Sequence, residues 1–228
     1  MKLELLDAYN VRARLSASII LFAPIAITVF SCFEAVQSFS TSSALIVVLL
    51  AFTNYIPILQ RRIHTKRPRS VNYAAQMLSQ SDSSIDATTK ARFYNKLATI
   101  DETFSSFKSP DDSNSFQKSC ESAVLYLKSH TRENRLVQEE VINYGFCKNL
   151  LECKIVGVVI CVLCCILVVT YSFLTFEKLS GIPTQNYFAF FTDIFISLFW
   201  LFGINKKVLE SAATYYAKAL ILSIDALE

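Results

Sequence analysis

Glycine and proline are scarce in this sequence, 4 and 5 of 228 residues. No sustained alternation of apolar and polar residues accompanies them. Together these absences argue against a β-barrel, which announces itself by a period of two broken by turn residues. Charge is scarce too. Only 18% of residues are charged against 53% hydrophobic, an apolar-rich balance for a soluble domain of this length. Histidine occurs twice, at His64 and His130, and neither has the spacing of a metal ligand. With no catalytic constellation in view, the expectation is a protein that is not an enzyme and carries no cofactor and no metal.

What is present is four apolar blocks, at residues 15–39, 41–60, 155–176 and 187–204. A transmembrane helix needs about 20 predominantly apolar residues. The first block holds one charge, Glu34, near its far end; the second holds none; the fourth is interrupted only by Asp193. The first is also too long for a signal-peptide core, and a second span follows at once, so it reads as a retained anchor. The expected fold is an all-α integral membrane protein. It has four transmembrane helices, a helical cytosolic insert between spans 2 and 3 (residues 61–154), and a C-terminal cytosolic amphipathic helix (residues 205–228).

Basic residues set the orientation. Arg12 and Arg14 precede the first span, and Arg61, Arg62, Lys66, Arg67 and Arg69 follow the second. Lys148 and Lys154 enter the third, and Lys206 and Lys207 leave the fourth, while the opposite side keeps Lys178. The positive-inside rule then places the N-terminus (residues 1–14), the C-terminus and the insert in the cytoplasm. Cys120, Cys147 and Cys153 fall on that reducing side, and Cys161, Cys164 and Cys165 lie within the third span. They do not form a secreted disulfide framework. Cys161 and Cys164 make a formal C-x-x-C, but with Gly157 they read as a small-residue packing face rather than a redox site.

Within the insert, Pro68 is expected to bend or end the second helix, and residues 79–89 read as a loop. Asp86 caps a helix running to about Phe107, and residues 109–115 form a second loop. From Phe116 a long amphipathic helix is expected, followed by an elbow at Tyr144-Gly145-Phe146 that couples the insert to the third span and serves gating. In the tail, Leu209, Ala213, Tyr216, Leu220, Ser223 and Leu227 alternate four and three apart. That seam suits either a helix packed on its own insert or a contact between subunits. The insert is small, so completion by neighbouring subunits is expected, in a homo-oligomer guessed to be a tetramer.

Ionisable residues inside a membrane are costly and default to functional hypotheses. Asp193 and Glu34 are the pore candidates, with Thr192 and Ser197 beside Asp193. In a symmetric oligomer each acid repeats as a ring near the outer leaflet, and acidic rings favour cations. The opposing reading has Glu34 reaching headgroups and Asp193 bonded to Thr192, Asn186 or a neighbouring helix. For an anionic ligand, the candidates are Arg61, Arg62, Lys66, Arg67 and Arg69; Arg92, Tyr94 and Lys96; and Tyr126, Lys128, Arg132 and Arg135. Cations beside stacking rings are what single-stranded nucleic acid requires. Lys128, Arg132 and Arg135 fall at i, i+4 and i+7 and share one helix face; positive-inside topology by itself accounts for the first cluster, and a solvated helix face for the last.

Three segments carry a resemblance: Asp7-Ala8-Tyr9-Asn10-Val11-Arg12-Ala13-Arg14, Asn143-Tyr144-Gly145-Phe146-Cys147-Lys148-Asn149-Leu150 and Ala212-Ala213-Thr214-Tyr215-Tyr216-Ala217-Lys218. The combination resembles small four-span membrane proteins of bacterial anti-phage defence islands, and is most like the pore-forming subunit of the Hailong system. The membrane subunit of the Kiwa system, which works with a cytosolic DNA-binding partner, is the nearest rival. The Hailong resemblance implies an oligomeric ion channel, held shut by short single-stranded DNA from a nucleotidyltransferase encoded nearby. Loss of that ligand depolarises the cell in abortive infection. The Kiwa resemblance implies instead a non-conducting membrane sensor or scaffold. Neither supplies ligand positions residue by residue.

Overall fold

The computed structural model describes residues 9–33, 72–107 and 113–227. The expected second span, Glu34 and the basic run from Arg61 to Arg69 lie outside the described residues. Among the described residues the fold is helical without a strand. Seven α-helices follow in order: α1 (Ser16–Cys32), α2 (Tyr73–Leu78), α3 (Ala87–Ile100), α4 (Ser113–His130), α5 (Arg135–Thr175), α6 (Thr184–Leu198) and α7 (Lys206–Leu222). Among the described residues, three helical stretches are long and apolar enough to cross a membrane: Arg12–Cys32, Arg135–Thr175 and Thr184–Gly203. The chain divides into two compact units. One holds residues 1–66 and 145–209, the other residues 67–144 and 210–228.

The first unit contains α1, the apolar length of α5, and α6. Two span boundaries differ from the sequence reading. Helix α1 stops at Cys32, where Phe33 turns extended at φ −121° and ψ 102°. Helix α6 begins at Thr184, directly after Pro183, whose fixed φ suits a helix start. It ends in a π-helical turn, Phe199–Gly203. A second π turn, Asn10–Leu15, leads into α1. Helix α1 tolerates Pro24 in its interior with its side chain buried.

Small residues let these helices approach. A Cβ on Gly157 of α5 would come within 2.5 Å of the buried Trp200 ring. At the same end of the bundle, Asn149 Nδ2 donates to the Ala13 carbonyl at 3.0 Å. Lys154 Nζ donates to the carbonyls of Leu201 and Ile204 at 2.8 and 2.6 Å. That ammonium caps carbonyls which the helix end leaves without partners. Arg12 to Arg14, Lys148 to Lys154 and the residues before Lys206 therefore meet at one end of this unit.

The expected elbow is not a break. Helix α5 is continuous through Tyr144, Gly145 and Phe146. A Cβ on Gly145 would meet the Tyr9 ring at 2.6 to 2.9 Å. Glycine is needed there for close approach of an aromatic ring, not for a bend.

The second unit has its own core, built from Leu78, Phe93, Leu97, Phe104, Val124, Leu127, Leu220, Ile221 and Ile224 among others. Asp86 caps α3 as expected, its Oδ1 accepting from Thr89 N at 2.8 Å. The helix ends earlier than expected, at Ile100, and a 3-10 turn, Glu102–Phe107, completes that stretch. The loop between α2 and α3 wraps a buried cation. Lys90 Nζ donates to the carbonyls of Ser79 and Asp82 at 2.7 and 2.5 Å, with the Asp82 carboxylate at 3.9 Å. Burial acts to raise the Asp82 carboxyl, but the bonds from Ser84 and the charge of Lys90 outweigh it and hold that group below its ordinary value.

The single long helix expected from Phe116 is two helices. Thr131 Oγ1 donates to the Leu127 carbonyl at 2.7 Å, closing α4. Asn134 Oδ1 then accepts from the amides of Leu136 and Val137 at 3.0 and 3.3 Å, opening α5 with an N-cap. The tail packs on its own insert. Its buried stripe is Ala213, Ala217, Leu220, Ile221 and Ile224, next to the expected seam.

Gly157→Ala is expected to lower the thermal midpoint of the purified protein, by a destabilisation of about 1–3 kcal/mol from overpacking. Gly181→Ala is the control. Its added carbon meets nothing nearer than 4.0 Å, so the midpoint stays put.

Candidate functional site

The most unusual chemistry in the first unit lies halfway along α6. Asp193 is 0% exposed and sits about two and a half helical turns from Thr184, deeper than the sequence boundaries implied. Thr28 of α1, itself 1% exposed, donates from Oγ1 to Asp193 Oδ2 at 2.7 Å. The other carboxylate oxygen, Oδ1, is buried without a hydrogen-bond partner. Cys164 of α5 is in hydrogen-bonding reach of Thr28. Cys32, Cys161 and Cys165 lie close enough to feel the carboxylate charge. Among the described residues no lysine or arginine pairs with it.

Apolar layers enclose this group on both sides. Ala17, Leu21, Leu150, Cys153, Cys161, Trp200 and Ile204 form the layer towards the basic end, and Cys32, Val168 and Ala189 the layer beyond. Asp193 is therefore turned into the protomer, not onto an exposed surface where a ring of carboxylates between subunits would need it. Thr192 and Ser197 are half-buried on the same helix.

Two further residues continue the pattern. Asn186 and Trp200 lie seven positions before and after Asp193, each about 10 Å along the helix and on nearly the same face. Asn186 is 2% exposed; its Nδ2 donates to Ser172 Oγ at 3.1 Å, and its Oδ1 has no partner. Trp200 Nε1 is also buried without one. Of the partners the sequence offers for Asp193, namely Thr192, Asn186 or a neighbouring helix, the structure has the last, in Thr28 of α1. A signal existed: Ala17, Leu21, Pro24 and Thr28 recur four and three apart, and they form the buried stripe of α1.

The nucleic-acid candidates are dispersed. Arg92 pairs with Asp225 at 2.6 Å, and Lys96 Nζ donates to the Asp225 carbonyl at 3.0 Å, so both hold the C-terminal turn. Tyr94 donates to the Leu78 carbonyl, and its ring is occupied by Phe107, stacked at 5.1 Å, and Phe116, edge-on at 5.4 Å. Burial pushes its hydroxyl up to about 12. Tyr126 stacks on His130 at 3.9 Å and meets Phe104 edge-on. Lys128, Arg132 and Arg135 are exposed, but the break between α4 and α5 removes them from a common helical face. Arg135 also pairs with Glu139 at 3.1 Å. Among the described residues no group of histidine, cysteine and acidic side chains is arranged to hold a metal ion.

No family model, curated protein or solved structure matches this chain. Its function must be argued from the site itself.

Cys120 is fully buried in the second unit, and that burial pushes its thiol up to about 12. The thiolate is the reactive form. At pH 8 in the folded protein, alkylation of Cys120 is expected to be at least tenfold slower than after unfolding, read peptide by peptide in a mass spectrometer. Arg92→Ala, by contrast, removes an exposed ion pair and is expected to cost less than about 1 kcal/mol in a denaturation midpoint.

Proposed function

We propose that this chain is the subunit of an ion-conducting membrane protein whose path involves Asp193. One observation carries the reading: an acid buried mid-span, with a hydroxyl on one oxygen and, among the described residues, no partner on the other. A charge at the centre of a membrane helix costs about 3 kcal/mol on insertion scales, and such residues mark ion pathways by default. Packing alone would be served at lower cost by an apolar side chain.

In this reading the chain has four spans, α1, residues 41–60, the apolar length of α5, and α6, in a bacterial inner membrane. The basic end of the bundle faces the cytoplasm, which puts both termini and the second unit there. The clustering of Ala13, Asn149, Lys154 and Ile204 at one end supports that orientation. The subunits assemble as a homo-oligomer. The second unit receives an anionic ligand that distinguishes the closed from the open arrangement, since only differential binding shifts such an equilibrium. The resemblance to Hailong-type proteins supports a short single-stranded DNA from a nearby nucleotidyltransferase as that ligand, and depolarisation in anti-phage defence as the outcome. The exposed Lys128 and Arg132 and the basic run at Arg61–Arg69 are among the cations available to it.

The test is reconstitution of the full chain in dye-loaded liposomes, with and without DNA oligomers. Ion flux is expected in one ligand condition, and Asp193→Asn is expected to change its ion selectivity or lower it at least tenfold. A membrane scaffold that recruits a soluble partner would show no flux in any condition. That result removes conduction from the account.

A further inference from the structure

The groups around Asp193 select what it can bind. From α1 it is faced by Thr28 and Cys32, and from α5 by Cys161, Cys164 and Cys165. All are neutral hydroxyls or thiols in their ordinary forms, and no cationic side chain among the described residues joins them. Hard cations such as Ca²⁺ take about 6–8 oxygen ligands. Among the described residues the side-chain oxygens shown together here are the two of the carboxylate and the Thr28 hydroxyl. The layer is also closed above and below by apolar side chains. A proton needs no such shell. It neutralises the carboxylate outright, which is how a buried acid without a counterion escapes its desolvation cost.

The position of the orphaned atoms adds direction. Asn186 Oδ1, Asp193 Oδ1 and Trp200 Nε1 are the three buried side-chain polar atoms without partners among the described residues. They lie on nearly one face of α6 and its π turn, about 10 Å apart. Buried polar groups are ordinarily paired, so three exceptions in one row need a reason. Each is beyond hydrogen-bond reach of the next, and of the three only the Asp193 carboxylate can take up a proton, since an indole N–H only donates and an amide oxygen only accepts.

We propose that Asp193 is a proton-binding site within the protomer, taking H⁺ from water on Oδ1 to become a neutral carboxylic acid and giving it back to water on release. The step is balanced: one O–H bond forms, the carboxylate loses its charge, and release reverses both. Thr28 is a positioning residue, fixing Oδ2 so that Oδ1 takes the proton. The inference rests on the conduction reading only for the claim that the permeant ion is H⁺. The binding site itself does not require flux.

The experiment is infrared difference spectroscopy of the full chain in lipid between pH 8 and pH 5, in the stretching region of the carboxylic acid carbonyl. Wild type is expected to show a band that Asp193→Asn lacks. In Thr28→Val, which keeps the acid, the band is expected to move because its hydrogen bond is gone. Identical wild-type and Asp193→Asn spectra, with Trp200 emission showing both folded, overturn the site. If Asp193→Asn does not fold, an unmoved band in folded Thr28→Val overturns it. Flux assays with a pH dye and a potassium dye then separate the two claims. The band without any flux leaves the proton site standing and removes the pore. Potassium flux without the band does the reverse.

Discussion

One hydrogen bond, from Thr28 to Asp193, organises the membrane part of this protein. An apolar bundle gains little from driving helices together, because lipid is as apolar as leucine. What fixes α1 against α6 is then a polar contact that lipid cannot replace, aided by small residues that let the backbones approach. Gly157 under Trp200 and Asn149 on the Ala13 carbonyl belong to the same class of constraint. Each is satisfied in one register only. The acid is thus both a structural pin and a group with an unspent oxygen, and its chemistry follows from that second fact.

The second unit is built on different physics. Its core holds phenylalanines, leucines and isoleucines from the insert and the C-terminal helix, and each buried side chain of this kind contributes about 2 kcal/mol. Its polar groups serve the core. Lys90 closes a loop, Tyr94 bonds a carbonyl, and Arg92 and Lys96 hold the final turn. Cations and rings that look like a nucleic-acid surface in the sequence are largely occupied in the fold. Lys128 and Arg132 are among the cations that remain exposed.

Much of this was legible in the sequence, and the misses share a cause. Three apolar stretches and the Asp86 cap follow from local composition, which long helices preserve. The partner of Asp193 was not legible locally, because Thr28 lies 165 residues away. The break after His130 was missed because amphipathic periodicity runs through it, whereas Thr131 and Asn134 stop and restart the helix through side-chain bonds. Glycine permits a bend, but at Gly145 the missing Cβ makes room for the Tyr9 ring instead. The seam in the tail was displaced by one position in places, since a helix packed on a globular core follows 3.6 residues per turn rather than 3.5.

Trp200 is the single tryptophan of the chain and is buried beside this centre, so its emission reports the bundle directly. The decisive measurement is a double-mutant cycle, unfolding wild type, Thr28→Val, Asp193→Asn and the double variant in lipid while following that emission. The account predicts a coupling of about 1–3 kcal/mol between the two positions, as for a buried hydrogen bond. Strictly additive effects would contradict it, because Thr28 and Asp193 would then be neighbours without being partners.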